Sequence, residues 1–233
     1  MRSFFLSVLF VVGAMADETA LVTHGEFSYI NTKGNTDTSS LAFEGNVKKG
    51  WDLNLFRAHA DAYQSEDDGQ ESKNKWSVEL NYDYEFAPHI SVNYLFGYKE
   101  DRFSGYDYQV YTGPGIGVNV LKGKEHTLDL QANMLYAVDK PEKEAKDNYL
   151  STKIGAIYAW QIQENLKFIQ EATYRINLEQ TGHWFAYSKS AIETKINSIF
   201  SMGVSYKVDY VNTPPPPSVQ SDRTFLVSFI VDY

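Results

Sequence analysis

Apolar and polar residues alternate strictly along two neighbouring segments of the chain. From Trp76 to Phe86 every second residue is aromatic or aliphatic, and from Ile90 to Tyr98 the same pattern returns after a short turn. A period of two places one set of side chains on one face of a β-strand, and it does not fit the face of a helix. The two segments therefore predict adjacent strands, each with one apolar face.

The same period runs through most of the chain and predicts about twelve strands, an even number as in bacterial outer-membrane barrels. The predicted strands are residues 22–32, 38–48, 52–64, 76–86, 90–99, 106–120, 126–138, 149–160, 166–179, 189–196, 200–210 and 224–233. In the third strand the apolar residues change parity, so a β-bulge is expected near Leu55. Residues 65–75, SEDDGQESKNK, are expected to form a charged loop.

Strand length and the joins between strands both favour a membrane barrel. Most predicted strands have about 10–13 residues, against the ~9–11 that a tilted strand needs to cross a bilayer. Short joins take turns with long polar joins, as expected for short periplasmic turns at one rim and longer external loops at the other. The predicted fold is all-β, a closed up-and-down antiparallel transmembrane β-barrel of about 12 strands.

The last segment, TFLVSFIVDY at 224–233, is the most apolar strand of the chain. Five of its side chains share one face and are expected to act as the signal that the barrel-assembly machinery reads. They are Phe225, Val227, Phe229, Val231 and Tyr233. Because a sheet edge in lipid would leave backbone groups unpaired, this strand is expected to pair with the first. The alternative left open is the edge strand of a soluble periplasmic β-protein.

The first 16 residues, MRSFFLSVLFVVGAMA, have the features of a secretory signal peptide. Arg2 precedes a short apolar run, and Ala14-Met15-Ala16 fits a cleavage site. Residues 17–233 are then the barrel domain, exported through the Sec pathway to the outer membrane of a Gram-negative bacterium. The mean hydropathy of −0.39 does not argue against this, because alternating strands average to polar values.

Charged residues fall mainly on the strand faces opposite the apolar ones, which places them in the lumen. The candidate lumen-lining charges are Glu79, Asp83, Lys99, Asp129, Lys153, Glu171, Arg175, Glu193 and Lys207. Both signs are present, so the lumen is either a water-filled conduit or an interior filled by paired charges. The net charge of −9 argues against nucleic acid as a partner, since phosphate contacts need clustered Lys and Arg.

Three glycines, Gly113, Gly115 and Gly117, alternate along the sixth strand and are expected to face the lumen. Glycine in a strand marks a place where another group approaches closely. Either bulky opposing side chains or a narrow passage explains them. The run lacks the helix context and the lysine of a phosphate-binding loop.

The five histidines show no paired spacing of the kind that zinc sites use, and neither a metal nor a cofactor is predicted. His183, with Ser188 and Ser190 nearby, is the candidate base of a membrane-embedded hydrolase, the rival hypothesis to a non-enzymatic barrel. Trp184, Phe185 and Tyr187 are expected in the aromatic belt at the lipid boundary.

Three stretches resemble the YdiY-like family of salt-induced outer-membrane proteins, a family of undefined function. They are GNTDTSS at 34–40, GYKEDRFSGYDYQVYTGPGIG at 97–117 and YKVDYVNTPPPPSVQSD at 206–222. The resemblance implies an outer-membrane barrel and carries over no catalytic residues. The family name suggests a link to salt or osmotic conditions. An outer-membrane barrel is expected to have outer-membrane lipid, lipopolysaccharide and the barrel-assembly machinery as partners. The leading hypothesis is a structural or stress-related barrel, with or without a narrow path for ions or small solutes. A monomer is expected.

Overall fold

The computed structural model describes residues 21–33 and 37–233. The predicted signal peptide at 1–16 lies outside the described residues, as do residues 34–36 of the first predicted loop. The described residues form twelve strands. They are β1 (Leu21–Thr32), β2 (Thr38–Trp51), β3 (Asn54–Asp67), β4 (Gln70–Ala87), β5 (Ile90–Asp101), β6 (Tyr106–Lys122), β7 (His126–Pro141), β8 (Asp147–Gln163), β9 (Leu166–Asn177), β10 (Trp184–Lys195), β11 (Phe200–Val211) and β12 (Ser221–Asp232). Within these ranges there is no helix with the length and hydrophobicity of a membrane-spanning helix.

Each strand pairs antiparallel with the strands before and after it, and the sheet closes because β1 pairs with β12. This confirms the predicted closed up-and-down barrel. One rim carries the short joins, together with the first residue of β1 and the last residue of β12, and we call it the short-turn rim. The opposite rim carries the longer joins, such as residues 212–220 between β11 and β12, and we call it the loop rim.

Side chains alternate between the outer face and the lumen along each strand. On β5, Tyr94 and Phe96 are exposed, whereas Asn93 and Leu95, which alternate with them, are buried. The five residues of the predicted terminal signal, Phe225, Val227, Phe229, Val231 and Tyr233, all lie on the outer face of the last strand and are exposed. An apolar outer face on a closed barrel suits lipid, because the sheet itself satisfies the backbone hydrogen bonds. The barrel is therefore of the membrane-spanning type.

The pairing of β1 with β12, which we call the seam, is short. It aligns four residue pairs, from His24 with Asp232 to Phe27 with Phe229, whereas β1 and β2 align twelve. At the short-turn rim the backbones of Thr23 and Tyr233 exchange two hydrogen bonds, of 2.7 and 2.9 Å. The barrel is thus closed mainly through the half of the seam nearest this rim.

The charged loop predicted at 65–75 is wrong, because β3 runs on to Asp67 and β4 starts at Gln70. Asp68 and Gly69 alone connect them, with φ of 48° and 74°. Positive φ at both positions is the requirement of a two-residue type I′ hairpin turn, and an Asp-Gly pair meets it. The expected strict alternation of short and long joins fails here, since a tight turn lies at the loop rim. The pair of strands forms a long hairpin rather than a charged loop.

The bulge predicted near Leu55 is also wrong. Pairing of β3 with β4 continues without a shift from Asn54 to Ser65, and the irregularity lies between Ser65 and Glu66. Leu55 is paired with Asp83, whose side chain lines the lumen, so Leu55 faces the lumen as well. An apolar residue on the polar face at the end of a strand therefore produced the apparent change of parity.

Candidate functional site: the lumen

The lumen holds a cavity of about 860 Å³, lined by inward side chains from β1 through β12. The structure places every one of the predicted lumen-lining charges in its wall. These are Glu79, Asp83, Lys99, Asp129, Lys153, Glu171, Arg175, Glu193 and Lys207. A separate space of about 440 Å³ lies at the loop rim, among Glu71, Arg102, Phe103, Tyr106, Asp107 and Glu142. Charged groups of both signs thus surround the cavity within the barrel.

Near the loop rim, ion pairs cross the lumen. Lys75 of β4 lies 2.9 Å from Asp209 of β11, and Lys99 of β5 lies 3.5 Å from the same carboxylate. β5 and β11 are six positions apart around a ring of twelve, so this pair joins opposite walls. Asp222 of β12 accepts from Lys73 and from Lys75. We call Lys73, Lys75, Lys99, Asp209 and Asp222 the outer bridge.

On one side of the outer bridge the lumen is filled by an arginine packed among aromatic rings. The Arg175 guanidinium lies 4.3 Å from the ring centroid of Phe185 and 5.1 Å from that of Tyr111. It pairs with Asp139 at 3.5 Å and donates to the Tyr149 hydroxyl at 3.0 Å. A planar guanidinium stacks on aromatic faces while keeping its N–H groups for acceptors in its plane. We call these five residues the arginine layer.

A glycine makes room for the tyrosine of this layer. A Cβ on Gly97 would lie 2.2 Å from the ring of Tyr111, its partner on β6. Because Gly97 has no side chain, the ring lies across β5, and its hydroxyl donates to Glu79 at 2.8 Å. Glu79 also accepts from Lys153, which approaches from β8. This contact joins β4 to β8, four positions apart around the ring.

Halfway along the barrel, two lysines and two glutamates form a buried cluster. Lys189 of β10 lies 2.7 Å from Glu26 of β1 and 2.8 Å from Glu44 of β2. Glu44 also accepts from Lys207 of β11. The side chains of Lys189, Glu26 and Glu44 are each less than a tenth exposed. Each charge has a partner of opposite sign, as buried ions require.

Of the remaining predicted charges, Glu171 lies level with Lys189 and the others lie toward the short-turn rim. Arg57 makes a two-pronged contact with Asp83, with nitrogen to oxygen distances of 2.9 to 3.2 Å. Asp129 accepts from Asn119 at 2.6 Å. Lys167 lies 3.8 Å from Glu193, and Glu171 is the cross-strand partner of Lys189.

The three predicted glycines differ in what lies beside them. A Cβ on Gly113 would lie 2.1 Å from the Met134 carbonyl oxygen, and one on Gly115 would lie 2.3 Å from the Asn133 amide nitrogen. Gly117 lines the cavity, and a Cβ there would lie 2.6 Å from the Ser91 hydroxyl. At Gly113 the close approach is by the neighbouring backbone rather than by a bulky side chain.

The prediction that Phe185 and Tyr187 belong to an outer aromatic belt is wrong. β10 begins at Trp184, five residues before its predicted start, and its alternation turns both side chains into the lumen. Trp184, on the opposite parity, stacks on Tyr210 with ring centroids 4.9 Å apart. Which aromatic residues face lipid depends on where β10 starts, and the sequence pattern did not define that start.

Several lumen residues were missed from the sequence. Glu26, Arg57, Lys75 and Lys189 all line the cavity and make ion pairs there. Lys75 was assigned to the loop now shown to be strand, and Lys189 stood at a strand boundary. The available signal was parity, since alternate positions on one strand share a face. Lys75 has the parity of Glu79, and Lys189 has the parity of Glu193.

The candidate hydrolase residues do not come together. The hydroxyl groups of Ser188 and Ser190 both hydrogen-bond with Gln170, at 3.0 and 2.5 Å. In the described part of the chain, the His183 imidazole makes no hydrogen bond with either serine. A nucleophile needs its base within hydrogen-bond reach, so this group does not have the geometry of a catalytic pair.

One group of side chains has the composition of a metal site. His24, Glu26 and Glu193 each offer a ligand atom, and these atoms lie within 4.8 Å of one another. The sequence did not predict this group because its members lie on β1 and β10, far apart along the chain. Only the closed barrel brings them together.

A family model described as a protein of unknown function, DUF481, matches residues 25–233. The chain belongs to the DUF481 family. The uncharacterized protein YdiY of Escherichia coli (strain K12) is 25% identical over 204 residues, which cover 86% of this chain and 78% of that protein. These findings confirm the family that the sequence motifs resemble.

Solved structures of similar shape include outer-membrane channels. The COG4313 outer membrane channel from Pseudomonas putida F1 matches 94% of this chain and 97% of its own, with a TM-score of 0.54 and 6% identity. The NanC porin matches 91% of this chain and 98% of its own, with a TM-score of 0.48 and 12% identity. The likeness to the Pseudomonas channel shows that this DUF481 chain has the fold of an outer-membrane β-barrel.

Proposed function

We propose that this DUF481 protein is a narrow outer-membrane channel for ions and small polar solutes, held closed in this structure by the outer bridge. The observation that supports the proposal most directly is the pair of contacts from Lys75 and Lys99 to Asp209, which span a lumen of about 860 Å³. A volume lined by both signs of charge accepts water and ions. In this proposal, the few contacts of the outer bridge close the lumen toward the loop rim.

The geometry of the outer bridge supports a removable barrier. On one side of it the arginine layer fills the lumen. Within the bridge, Lys73 pairs with Asp222 and lies 5.6 Å from the ring centroid of Tyr63. The side chains of Lys73 and Asp222 are 30% and 34% exposed, those of Lys99 and Asp209 are 31% and 25% exposed, and that of Lys75 is 12% exposed. Partly exposed pairs on long side chains are weak, because solvent screens them and their flexibility opposes pairing.

Ionic strength is expected to act on this barrier. The screening length is about 10 Å at 0.1 M salt and about 3 Å at 1 M, so higher salt weakens partly exposed pairs more than buried ones. The outer bridge would then loosen at high salt while the buried cluster around Lys189 keeps its pairs. External salt would thus raise the permeability of the channel, which is a physical mechanism for the salt-related or osmotic role.

Single-channel recording in planar bilayers tests the proposal. We expect wild-type protein to give small conductance steps that grow faster than the conductivity of the solution between about 0.1 M and about 1 M KCl, because of the screening described above. The variant D209N/D222N removes both carboxylates of the outer bridge without changing side-chain size. It is expected to give larger steps that scale with solution conductivity throughout.

The matched control is E71Q, which removes a pair with Arg102 at the loop rim that does not cross the lumen. It is expected to behave as the wild type. Correctly folded D209N/D222N protein that produces no steps would contradict the channel and leave the second candidate, a filled barrel with a structural role. The cross-lumen contacts of the arginine layer and of the Lys189 cluster favour that candidate.

We propose the cellular location and partners of the protein from its barrel fold. The barrel would lie in outer-membrane lipid and lipopolysaccharide as a monomer, after export through the Sec pathway and removal of residues 1–16. The exposed outer-face residues Phe225, Val227, Phe229, Val231 and Tyr233 would be read by the barrel-assembly machinery. A non-enzymatic role is supported by the separation of His183 from Ser188 and Ser190. Heat-modifiable migration on gels, combined with membrane fractionation, would test the location.

A further inference from the structure

We propose that His24, Glu26 and Glu193 form a binding site for a divalent transition-metal ion inside the barrel, next to the seam. The His24 Nε2 atom lies 3.3 Å from Glu26 Oε1, and a Glu193 carboxylate oxygen completes a set of ligand atoms within 4.8 Å of one another. All three residues line the cavity, so the lumen gives access to them. The site is distinct from the outer bridge and the arginine layer, and it does not depend on the channel proposed above.

The barrel positions these ligands through its alternation and closure. His24 and Glu26 are two residues apart on β1, so their side chains share the lumen face. Glu193 comes from β10, which is separated from β1 by β11 and β12. The β11 residue opposite Glu193 is Gly203, and a Cβ there would lie 2.9 Å from Ile230 and 3.6 Å from Glu193 Cγ. The bare backbone at Gly203 leaves room for the Glu193 side chain to reach toward β1.

Asp232 holds the imidazole in the orientation that metal binding needs. Its carboxylate lies 2.7 Å from His24 Nδ1, on the opposite side of the ring from Glu26. A carboxylate that accepts from one ring nitrogen fixes the tautomer and leaves the lone pair of the other nitrogen for a metal. Asp232 is also the cross-strand partner of His24 in the seam, so the same pairing that closes the barrel orients the ligand.

The charges around the site balance a bound cation. Glu26 is shared with Lys189, but Lys189 also has Glu44 at 2.8 Å and keeps that partner if Glu26 turns toward a metal. Among residues 21–33 and 37–233, the ion pair of Glu193 is a long contact with Lys167, at 3.8 Å. Glu26, Glu193 and Asp232 therefore supply three carboxylates around one imidazole.

The ligand set indicates the class of metal. One imidazole nitrogen with two carboxylates suits zinc and similar first-row ions, with a further coordination position open to the lumen. Calcium takes six to eight oxygen ligands and magnesium keeps most of its own waters, so neither fits a site of three protein ligands that includes nitrogen. A bound ion would connect β1 to β10 across the short seam and reinforce the closure of the barrel.

Zinc binding to the refolded protein tests the site. The barrel is prepared in detergent without a polyhistidine tag, and bound zinc is measured by equilibrium dialysis at neutral pH. We expect one zinc ion per barrel, no competition from excess magnesium or calcium, and a rise in the urea midpoint of unfolding on adding zinc. H24A and E193Q are expected to abolish both effects. D232N is expected to weaken binding by about 10- to 100-fold, the usual effect of losing such a supporting carboxylate.

The matched control is H59A. His59 is another lumen histidine, 2.9 Å from Asn46 and 3.5 Å from Asp61, but it is not part of the three-ligand group. H59A is expected to bind zinc as the wild type does. Heat-modifiable migration establishes that each variant has folded before binding is measured. Wild-type protein that binds no zinc, or zinc binding that H24A and E193Q leave unchanged, would overturn the proposal.

Discussion

Replacing Lys189 by methionine tests whether buried ion pairs across the lumen hold the barrel together. The methionine keeps most of the length of the side chain but removes the charge that lies 2.7 Å from Glu26 and 2.8 Å from Glu44. The side chain of Lys189 is 3% exposed, so water cannot take over its role. The substitution therefore leaves two buried carboxylates with one partner fewer each.

The expected loss in the free energy of unfolding depends on the partners that Glu26 and Glu44 keep. Removing one partner of a buried ion pair costs about 3–5 kcal/mol. Here Glu44 keeps Lys207 and Glu26 keeps His24, so neither carboxylate is left entirely alone. We therefore expect K189M to lower the free energy of unfolding by about 3 kcal/mol, at the low end of that range. Adding E26Q to K189M is expected to recover part of the loss, since it removes one of the two carboxylates that lost a partner.

Urea unfolding in lipid vesicles, followed by the fluorescence of the four tryptophans, measures this free energy. R102A is the control, because its pair with Glu71 is at the surface and Arg102 is 68% exposed. Exposed pairs contribute about 0–1 kcal/mol, so R102A should have little effect. A K189M midpoint equal to that of R102A would refute the idea that the buried cluster stabilises the closed barrel.

Two further predictions concern the faces of the strands. I154R places a charge on the lipid face of β8, where Ile154 is exposed, and should cost about 2–4 kcal/mol in vesicles if the residue lies near the bilayer midplane. An unchanged urea midpoint would argue against a lipid-facing outer surface. G113A would put a Cβ 2.1 Å from the Met134 carbonyl oxygen, whereas G155A meets nothing closer than 3.7 Å. The heat-modifiable folded fraction should therefore fall for G113A and stay normal for G155A. Equal folded fractions would contradict the inference that the backbone of β7 leaves no room for a side chain at Gly113.

The period-two pattern predicted the barrel well because each strand has one face in lipid and one in a polar lumen. Tyr94 and Phe96 could be assigned to the outer face with only their own segment in view. The pattern failed where a strand was polar on both sides, as in the hairpin around Asp68 and Gly69. The Asp-Gly pair was a usable signal for the turn, but the charged residues around it resembled a loop.

The partners within the lumen could not be predicted in the same way. Lys189 meets Glu26 across 163 residues of sequence, and Lys99 meets Asp209 across 110. Which inward side chains meet depends on the stagger of all the strands around the ring, and a local pattern contains no information about it. The sequence therefore indicated which residues face inward, and only the closed structure paired them.

The short seam has a consequence for how such a chain reaches its native state. Neighbouring strands form hairpins from residues close in sequence, whereas His24 and Asp232 are 208 positions apart, and bringing such distant residues together costs the most chain entropy. The pairing that comes with the largest entropic cost is thus also the one with the fewest residue pairs. Until it forms, the first and last strands present open edges, and open edges pair with other chains. A cell that makes this protein therefore has to shield the unfinished sheet until its two ends meet.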